Sequence, residues 1–277
     1  MDAEAAAKLA ALKTVLDEIG PAAIAVSGGV DSMTLAALAH RRAPKGISPS
    51  RIAMYHAVSP AVPPQATQRV RAMAGAEGWL LTIVDAGEFG REDYRANPVN
   101  RCYHCKTSLY SAIRAATGGQ ILSGANTDDL GEYRPGLDAA REHGVRHPYV
   151  EAGVGKTHLR AIARRMGLDA IAELPAAPCL SSRIETGIRI EADMLALVNA
   201  AERFVARLLK PRTVRCRVRG EGVVIELDPA ALGALDPQRR DTVLAQLRRM
   251  FPEAPAVFLA PYRAGSAFLT EARAEAD

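Results

Sequence analysis

The sequence predicts an α/β protein, a doubly wound parallel sheet joined to a smaller C-terminal α+β domain. Three observations predict it. Short apolar runs of strand length alternate with helical patterns through the first two thirds of the chain. The first of them, Ala23-Ile24-Ala25-Val26, breaks into Ser27-Gly28-Gly29 and restarts as a helix. Composition then shifts near residue 185, where a long amphipathic pattern precedes paired strand-like runs. The 277 residues suffice for one large domain or two of ordinary size, and 48% apolar with 24% charged residues is the balance of a soluble chain with a sizeable core. A net charge of +4 is small for this length and gives no argument for a nucleic-acid or membrane surface.

The alanine-rich start carries Asp2, Glu4, Lys8, Lys13, Asp17 and Glu18, which makes it an amphipathic helix and not a signal peptide. No apolar run approaches the roughly 18 residues of a membrane span, so the expected location is the cytoplasm. In the organising stretch, residues 23–32, the apolar run reads as a buried strand and the glycines allow a sharp turn with exposed N–H groups. The helix that follows presents its positive end to that turn, a geometry that cradles phosphate. The spacing is neither the Walker loop nor G-x-G-x-x-G, and a glycine turn without ligand is the alternative.

Residues 51–58 read as a second strand, followed by a loop at Ser59-Pro60 and Pro63-Pro64, a helix over 65–78 and a third strand over 79–84. Asn97-Pro98-Val99-Asn100 breaks the chain before Arg101-Cys102-Tyr103-His104-Cys105-Lys106, and a helix is expected over 108–116. A fourth strand, 120–124, runs into Ala125-Asn126-Thr127-Asp128-Asp129. Parallel topology places this acidic loop and the Ser27 turn at carboxyl ends of strands, facing each other. Helix capping ahead of Leu130 is the alternative for Asn126 and Asp128. Tyr133-Arg134-Pro135-Gly136 ends that element. Gly155-Lys156-Thr157 evokes a Walker ending without its preceding glycine and is given only a helix-capping role before a helix over 156–166. Pro175 and Pro178 bracket a rigid, extended segment that delivers Cys179, Leu180, Ser181, Ser182 and Arg183.

The expected division is 1–184 and 185–277. In the second part, Leu195, Val198, Phe204, Val205 and Leu208 mark an amphipathic helix over 191–209, and strands over 213–218 and 223–227 flank a hairpin turn at Gly220-Glu221-Gly222. A helix over 236–250 and a strand over 256–260 complete it.

In a reducing compartment, clustered thiols point to metal or chemistry before disulfides. Cys102-x-x-Cys105 fits a redox pair, half a zinc site or part of an iron-sulfur site. A fourth zinc ligand would be His104, awkwardly placed between the cysteines, or Cys216, which reads as a buried apolar residue of its strand. With Cys179, the pair fits a cubane cluster with one open iron, provided that the three meet in the fold.

Ser27-Gly28-Gly29-Val30-Asp31-Ser32 resembles the PP-loop of ATP pyrophosphatases, which split ATP between its α and β phosphates. Asp31 alone would repel phosphate, so it is assigned to Mg²⁺. Taken with the segments 97–106, 124–129, 133–136 and Pro178-Cys179-Leu180-Ser181-Ser182-Arg183-Ile184, the chain is similar to the LarE family of ATP-dependent sulfur transferases from about Ile24 to Ser266. Arg217-Val218-Arg219 and Tyr262-Arg263-Ala264-Gly265-Ser266 echo that family's C-terminal domain. The resemblance implies a PP-loop domain and adenylation of the carboxylates of pyridinium-3,5-biscarboxylic acid mononucleotide. AMP would then be replaced by sulfur, a reaction of nickel-pincer cofactor biosynthesis. It implies ATP, Mg²⁺ and a 4Fe-4S cluster on Cys102, Cys105 and Cys179 carrying sulfide, with sacrifice of the Cys179 sulfur as the alternative.

By the same resemblance Ser27, Gly28, Gly29, Asp31, Ser32, Gly124, Asn126 and Asp128 bind ATP, and Asp31 with Asp128 or Asp129 holds Mg²⁺. Cys179, Asp31, Lys106 and Arg183 form the catalytic set, with Lys106 and Arg183 holding the substrate's carboxylate or phosphate. Arg134, Arg215 and Arg217 grip substrate. A solvated surface charge is the alternative for each basic residue, and solubility of an edge strand for Arg215, Arg217 and Arg219. The expected partners are a small nucleotide substrate, a sulfide source and further copies of the chain, without membrane or nucleic acid. Two departures from the family pattern bear on the acceptor: Val223-Val224-Ile225-Glu226 lacks an arginine, and His147-Pro148-Tyr149 replaces a Ser-Pro-Leu segment. The competing functions are tRNA thiolation, disfavoured by the weak charge, and a non-catalytic nucleotide- or metal-binding module.

Overall fold

The computed structural model describes residues 3–43, 52–131, 134–176 and 178–263; Tyr133 and Ala264-Gly265-Ser266 of the motifs above lie outside them. In chain order the helices and strands begin α1 (Ala3–Ile19), β1 (Ala22–Ala25), α2 (Val30–Arg42), β2 (Ile52–Ala57), α3 (Pro64–Glu77), β3 (Leu80–Val84), α4 (Glu92–Arg95), α5 (Arg101–Ala116) and β4 (Gln120–Leu122). They continue α6 (Pro135–Glu142), α7 (Pro148–Glu151), α8 (Lys156–Arg165), α9 (Asp169–Ala172), α10 (Ala192–Leu209), β5 (Val214–Arg219), β6 (Gly222–Leu227), α11 (Pro229–Gly233), α12 (Pro237–Met250) and β7 (Val257–Pro261). No helix among the described residues is long and apolar enough to cross a membrane.

The chain divides into two units that are discontinuous in sequence. Met1–Gly90 with Cys102–Ala177 form the first, and Arg91–Arg101 with Pro178–Asp277 form the second. The segment Cys179–Arg183 therefore belongs with the C-terminal unit.

In the first unit four parallel strands lie in the order β3-β2-β1-β4. Alternation along each strand splits the apolar residues between two cores, because successive side chains leave opposite faces. Ile24, Met54 and Leu122 pack with Leu12 of α1, Met33 and Leu35 of α2, Val70 of α3 and Leu159 and Ile162 of α8. Ala23, Tyr55 and Ile121 pack on the other face with Tyr110 and Ile113 of α5 and Ala140 of α6. The sheet is thus doubly wound. Because β2 lies on one side of β1 and β4 on the other, the loops after β1 and β4 diverge around a topological switch point, where such sheets bind ligands.

The second unit contains a three-stranded sheet, β5 antiparallel to β6 and β6 parallel to β7. The hairpin is set by Gly222, at φ +137°, where a Cβ would come within 2.3 Å of the Ala256 carbonyl oxygen.

One local expectation changes. Helix α5 starts at Arg101, seven residues before the expected start at Ser108, because the Arg101 N–H bonds the Pro98 carbonyl (2.9 Å) and its side chain reaches back to Asn97. Both cysteines of the pair therefore sit on a helix, Cys102 in its first turn and Cys105 at the start of its second. Beyond the proline-bracketed segment, Leu180–Arg183, for which the sequence predicts no element, coil into a 3-10 turn, with the Ser182 N–H and Oγ both donating to the Cys179 carbonyl at 3.0 and 2.8 Å.

Candidate active site

The turn after β1 is held from all sides. The Val26 N–H continues the β1–β2 ladder to the Tyr55 carbonyl (2.8 Å), after which Gly28, at φ +84°, turns the chain against α3. A Cβ on Gly28 would lie 2.9 Å from the Ala66 carbonyl oxygen, so only glycine fits. The Ser27 N–H donates to Ser32 Oγ (3.0 Å), the two hydroxyls are 3.0 Å apart, and Gly29 opens α2. Beneath the turn, buried His56 donates from Nδ1 to the Val26 carbonyl (2.7 Å) and accepts from Thr67 Oγ1 at Nε2 (2.9 Å). Burial pushes its imidazole below the ordinary histidine pKa, which suits this neutral tautomer. Arg69 Nη1 donates to the Gly28 carbonyl at 2.7 Å.

The loop after β4 meets this turn as the topology predicts. Gly124 abuts the start of α2 so closely that a Cβ would sit 2.8 Å from the Ser32 nitrogen. Asn126 is buried, its side-chain oxygen accepting from the Asp128 N–H (3.1 Å), while Asp129 Oδ2 accepts from the Asn126 N–H (3.0 Å). Asp128 does cap a helix, but a distant one: Oδ2 accepts from the Lys156 N–H of α8 at 3.1 Å. Gly155 permits this approach, since a Cβ there would lie 2.7 Å from Asp128 Oδ1.

Lys156 corrects the sequence reading. Its ammonium bonds both Asp31 oxygens at 2.6 Å, so one residue joins the two acidic loops, by its backbone to Asp128 and by its side chain to Asp31. The Tyr149 hydroxyl, from the segment that departs from the family pattern, donates to the Asp31 carbonyl (3.0 Å). Burial, reinforced by the Asp31 charge, pushes its pKa well up and keeps it a donor.

At the same end of the sheet, Arg134 pairs with Asp129 (3.0 Å). The Lys106 ammonium is 5.8 Å from the centre of the Tyr110 ring, and its stem passes over Gly136, where a Cβ would come within 3.0 Å of Lys106 Cγ. His147 Nδ1 lies 2.8 Å from Ser123 Oγ, and burial lowers its pKa against the pull of Glu151 and Asp129.

In the second unit, Asn97 organises the segment that bears Cys179. Fully buried at φ +54°, it donates through Nδ2 to the carbonyls of Glu185 (2.8 Å) and Ile188 (2.9 Å) and accepts from Arg101 Nη1 (2.7 Å). Arg183 is buried and committed within the protein. Nε bonds Glu202 Oε1 (2.9 Å), and Nη1 donates to the carbonyls of Pro178 (2.8 Å) and Cys179 (3.2 Å). Arg217, also buried, pairs with Glu226 (3.1 Å) and donates to the Ser182 carbonyl (2.8 Å), so edge-strand solubility does not explain it. Arg215 lies 5.8 Å from the Tyr262 ring, and burial lowers its pKa with Arg183 adding to the effect. Val224 is buried opposite Arg217. Cys216 is fully buried and its thiol pKa pushed well up, which makes it the inert residue expected.

None of the four cysteines is bridged by a disulfide. Cys102 and Cys105, three apart on α5, share a helix face in the first unit, and Cys179 belongs to the second. Thiolates are the right donors for iron. Among the described residues no group of three or more His, Cys, Asp or Glu side chains is gathered to hold a metal ion.

No family model matches the chain. It is 36% identical over 226 residues to the uncharacterized protein slr1717 of Synechocystis, covering 80% of this chain and 82% of that one. The chain belongs to that protein's family. It is also 29% identical over 232 residues to the pyridinium-3,5-bisthiocarboxylic acid mononucleotide synthase of Lactiplantibacillus plantarum, 82% of each chain, and so is a distant homologue of a LarE-type synthase. A shorter match, 28% over 136 residues, joins 48% of the chain to 52% of the uncharacterized protein MJ0830 of Methanocaldococcus jannaschii. The synthase's name supports enzyme activity in the family.

Sequence reasoning missed Lys156, Arg69, Asn97 as a clasp, and Glu202. For Lys156 the signal is Gly155-Lys156-Thr157, which does not match the Walker spacing.

Proposed function

We propose that this chain is an ATP-dependent sulfur transferase, releasing AMP and pyrophosphate, that acts on the carboxylates of pyridinium-3,5-biscarboxylic acid mononucleotide in nickel-pincer cofactor biosynthesis. The single observation that carries the reading is the link made by Lys156 between the Asp31 turn and the Asp128 loop at the switch point of the sheet. Two acidic groups joined through one lysine, Asp31 by its ammonium and Asp128 by its backbone N–H, beside a glycine turn suit a site for a polyphosphate and its counter-ion. The name of the distant relative supplies the acceptor.

In this reading the N–H groups around Gly28 and Gly29, with the hydroxyls of Ser27 and Ser32, bind the phosphates. Asp31, with Asp128 or Asp129, offers hard oxygen donors of the type Mg²⁺ takes, and the ion would neutralise phosphate charge. An acceptor carboxylate oxygen attacks the α-phosphorus, the bond to the bridging oxygen breaks, and pyrophosphate leaves toward the N–H and hydroxyl donors of the turn. Sulfur then attacks the acyl carbon and AMP departs. Lys106 and Arg134 supply cations for the acceptor, Arg215 and Arg217 for its phosphate, and Arg183 sets the position of Cys179.

The number and type of thiols support a 4Fe-4S cluster on Cys102, Cys105 and Cys179 as the holder of sulfide. The free, half-buried thiol of Cys179 supports a second route, in which Cys179 displaces AMP to form a thioester and loses its own sulfur by elimination, leaving dehydroalanine.

The test is anaerobic incubation with ATP, Mg²⁺, sulfide and the pyridinium biscarboxylate nucleotide. AMP release that depends on the acceptor supports the reading, and release that responds only to tRNA refutes it. Iron lost in Cys102→Ala marks the cluster route, whereas iron-free protein whose Cys179 peptide loses the mass of hydrogen sulfide after turnover marks the sacrificial one.

A further inference from the structure

We infer that Arg69 is the residue that receives the pyrophosphate end of the nucleotide, an inference that rests on reading the Ser27–Ser32 turn as an ATP site. Arg69 lies one helical turn after Ala66 on α3, and Ala66 is the residue against which Gly28 turns. Its Nη1 donates to the Gly28 carbonyl at 2.7 Å. The guanidinium is therefore tied to the wall of the phosphate turn by a packing contact that tolerates no Cβ.

Its charge is not balanced there. Buried Arg183 and Arg217 each face a carboxylate, Glu202 and Glu226, but half-buried Arg69 has no carboxylate partner among the described residues and bonds one neutral carbonyl. Desolvation lowers its pKa with no opposing acid. The turn also opens the thirteen-residue helix α2, whose N-terminal dipole adds positive potential at the same place. Asp31 in the first turn of α2 is already paired with Lys156, so the helix dipole and the guanidinium both favour a further anion at the turn, and a planar guanidinium matches phosphate oxygens in pairs. The β and γ phosphates carry most of the nucleotide's charge and the charge that develops when the α–β bond breaks, so they are the part that Arg69 suits.

The experiment is calorimetric titration of the full chain with Mg²⁺-ATP, inorganic pyrophosphate and AMP, for wild type, Arg69→Met and Arg69→Lys. In Arg69→Met the affinity for ATP and pyrophosphate should fall about 10- to 100-fold, the worth of charge-assisted bonds, while AMP changes less than about twofold. Arg69→Lys should fall between. An equal loss for AMP would mean that Arg69 only shapes the turn, and unchanged pyrophosphate affinity would mean no contact; either overturns the inference. Should Arg69→Met fail to fold by circular dichroism, Arg69→Lys decides, with selective loss of pyrophosphate as support and no loss as refutation. Wild-type protein that takes up neither ATP nor pyrophosphate would overturn the ATP reading itself, a failure recognisable before any variant is made.

Discussion

Replacing Asn97 should loosen the segment that carries Cys179 more than any change to that segment's own surface. The side chain is fully buried and makes three strong bonds, two neutral ones to the Glu185 and Ile188 carbonyls and one to the Arg101 guanidinium, from a backbone at φ +54°. At about 1 kcal/mol for each neutral bond and about 2 kcal/mol for the charge-assisted one, Asn97→Ala forfeits roughly 4 kcal/mol. The left-handed backbone adds about 1 kcal/mol, since alanine lacks the local hydrogen bonding that makes asparagine tolerant there. Asn97→Gly removes the same bonds without the backbone cost and should be milder by about that 1 kcal/mol. Urea unfolding followed by far-ultraviolet circular dichroism measures both losses, and peptide mapping of thiol labelling should show Cys179 reacting faster in both variants. A loss below about 1 kcal/mol for Asn97→Ala, with Cys179 labelling unchanged, would refute the assignment of Asn97 as the clasp.

Four further outcomes are expected. Lys156→Met should lower ATP-dependent AMP release at least about tenfold, measured with acceptor present, because the cation paired with Asp31 is lost while the backbone bond to Asp128 stays. Burial lowers the folded pKa of His56, so between that value and the unfolded pKa of about 6.5 the unfolded chain binds more protons. Stability should therefore be full above about pH 6.5 and decline as pH falls through that window, with a shallower slope in His56→Gln by urea titration at several pH values. Gly124→Ala should cost about 1–3 kcal/mol and weaken nucleotide binding by driving a methyl group toward the Ser32 nitrogen, whereas Gly75→Ala in α3, with open space around it, should be neutral or stabilising by up to about 1 kcal/mol. Glu202→Gln should destabilise by about 3 kcal/mol, since it strips buried Arg183 of its counter-charge; a thermal or urea midpoint equal to wild type would contradict that.

Much of this protein is legible along the chain because its signals are local. The strand that ends in Ser27-Gly28-Gly29, the helix that follows it and the acidic loop after β4 are written in residues that touch their own near neighbours. Hydrophobic alternation and turn stereochemistry act over a few residues, and both survive in a linear reading. The start of α5 escaped it because Asn97 and Arg101 begin that helix through a side-chain bond that no propensity expresses. The 3-10 turn at Leu180–Arg183 escaped it because Ser182 doubles back onto the Cys179 carbonyl through a side-chain bond that no propensity expresses.

The amino-acid order by itself determined the α/β class, the glycine turn after the first strand and the resemblance on which the proposed chemistry rests. Only the tertiary structure decided which polar groups meet: Lys156 finds the Asp31 carboxylate across 125 positions, Asn97 the Glu185 carbonyl across 88, and Arg69 the Gly28 carbonyl across 41. Such pairings depend on where the parallel crossovers and the discontinuous second unit bring the backbone, and electrostatic partners have no periodicity for a sequence to display.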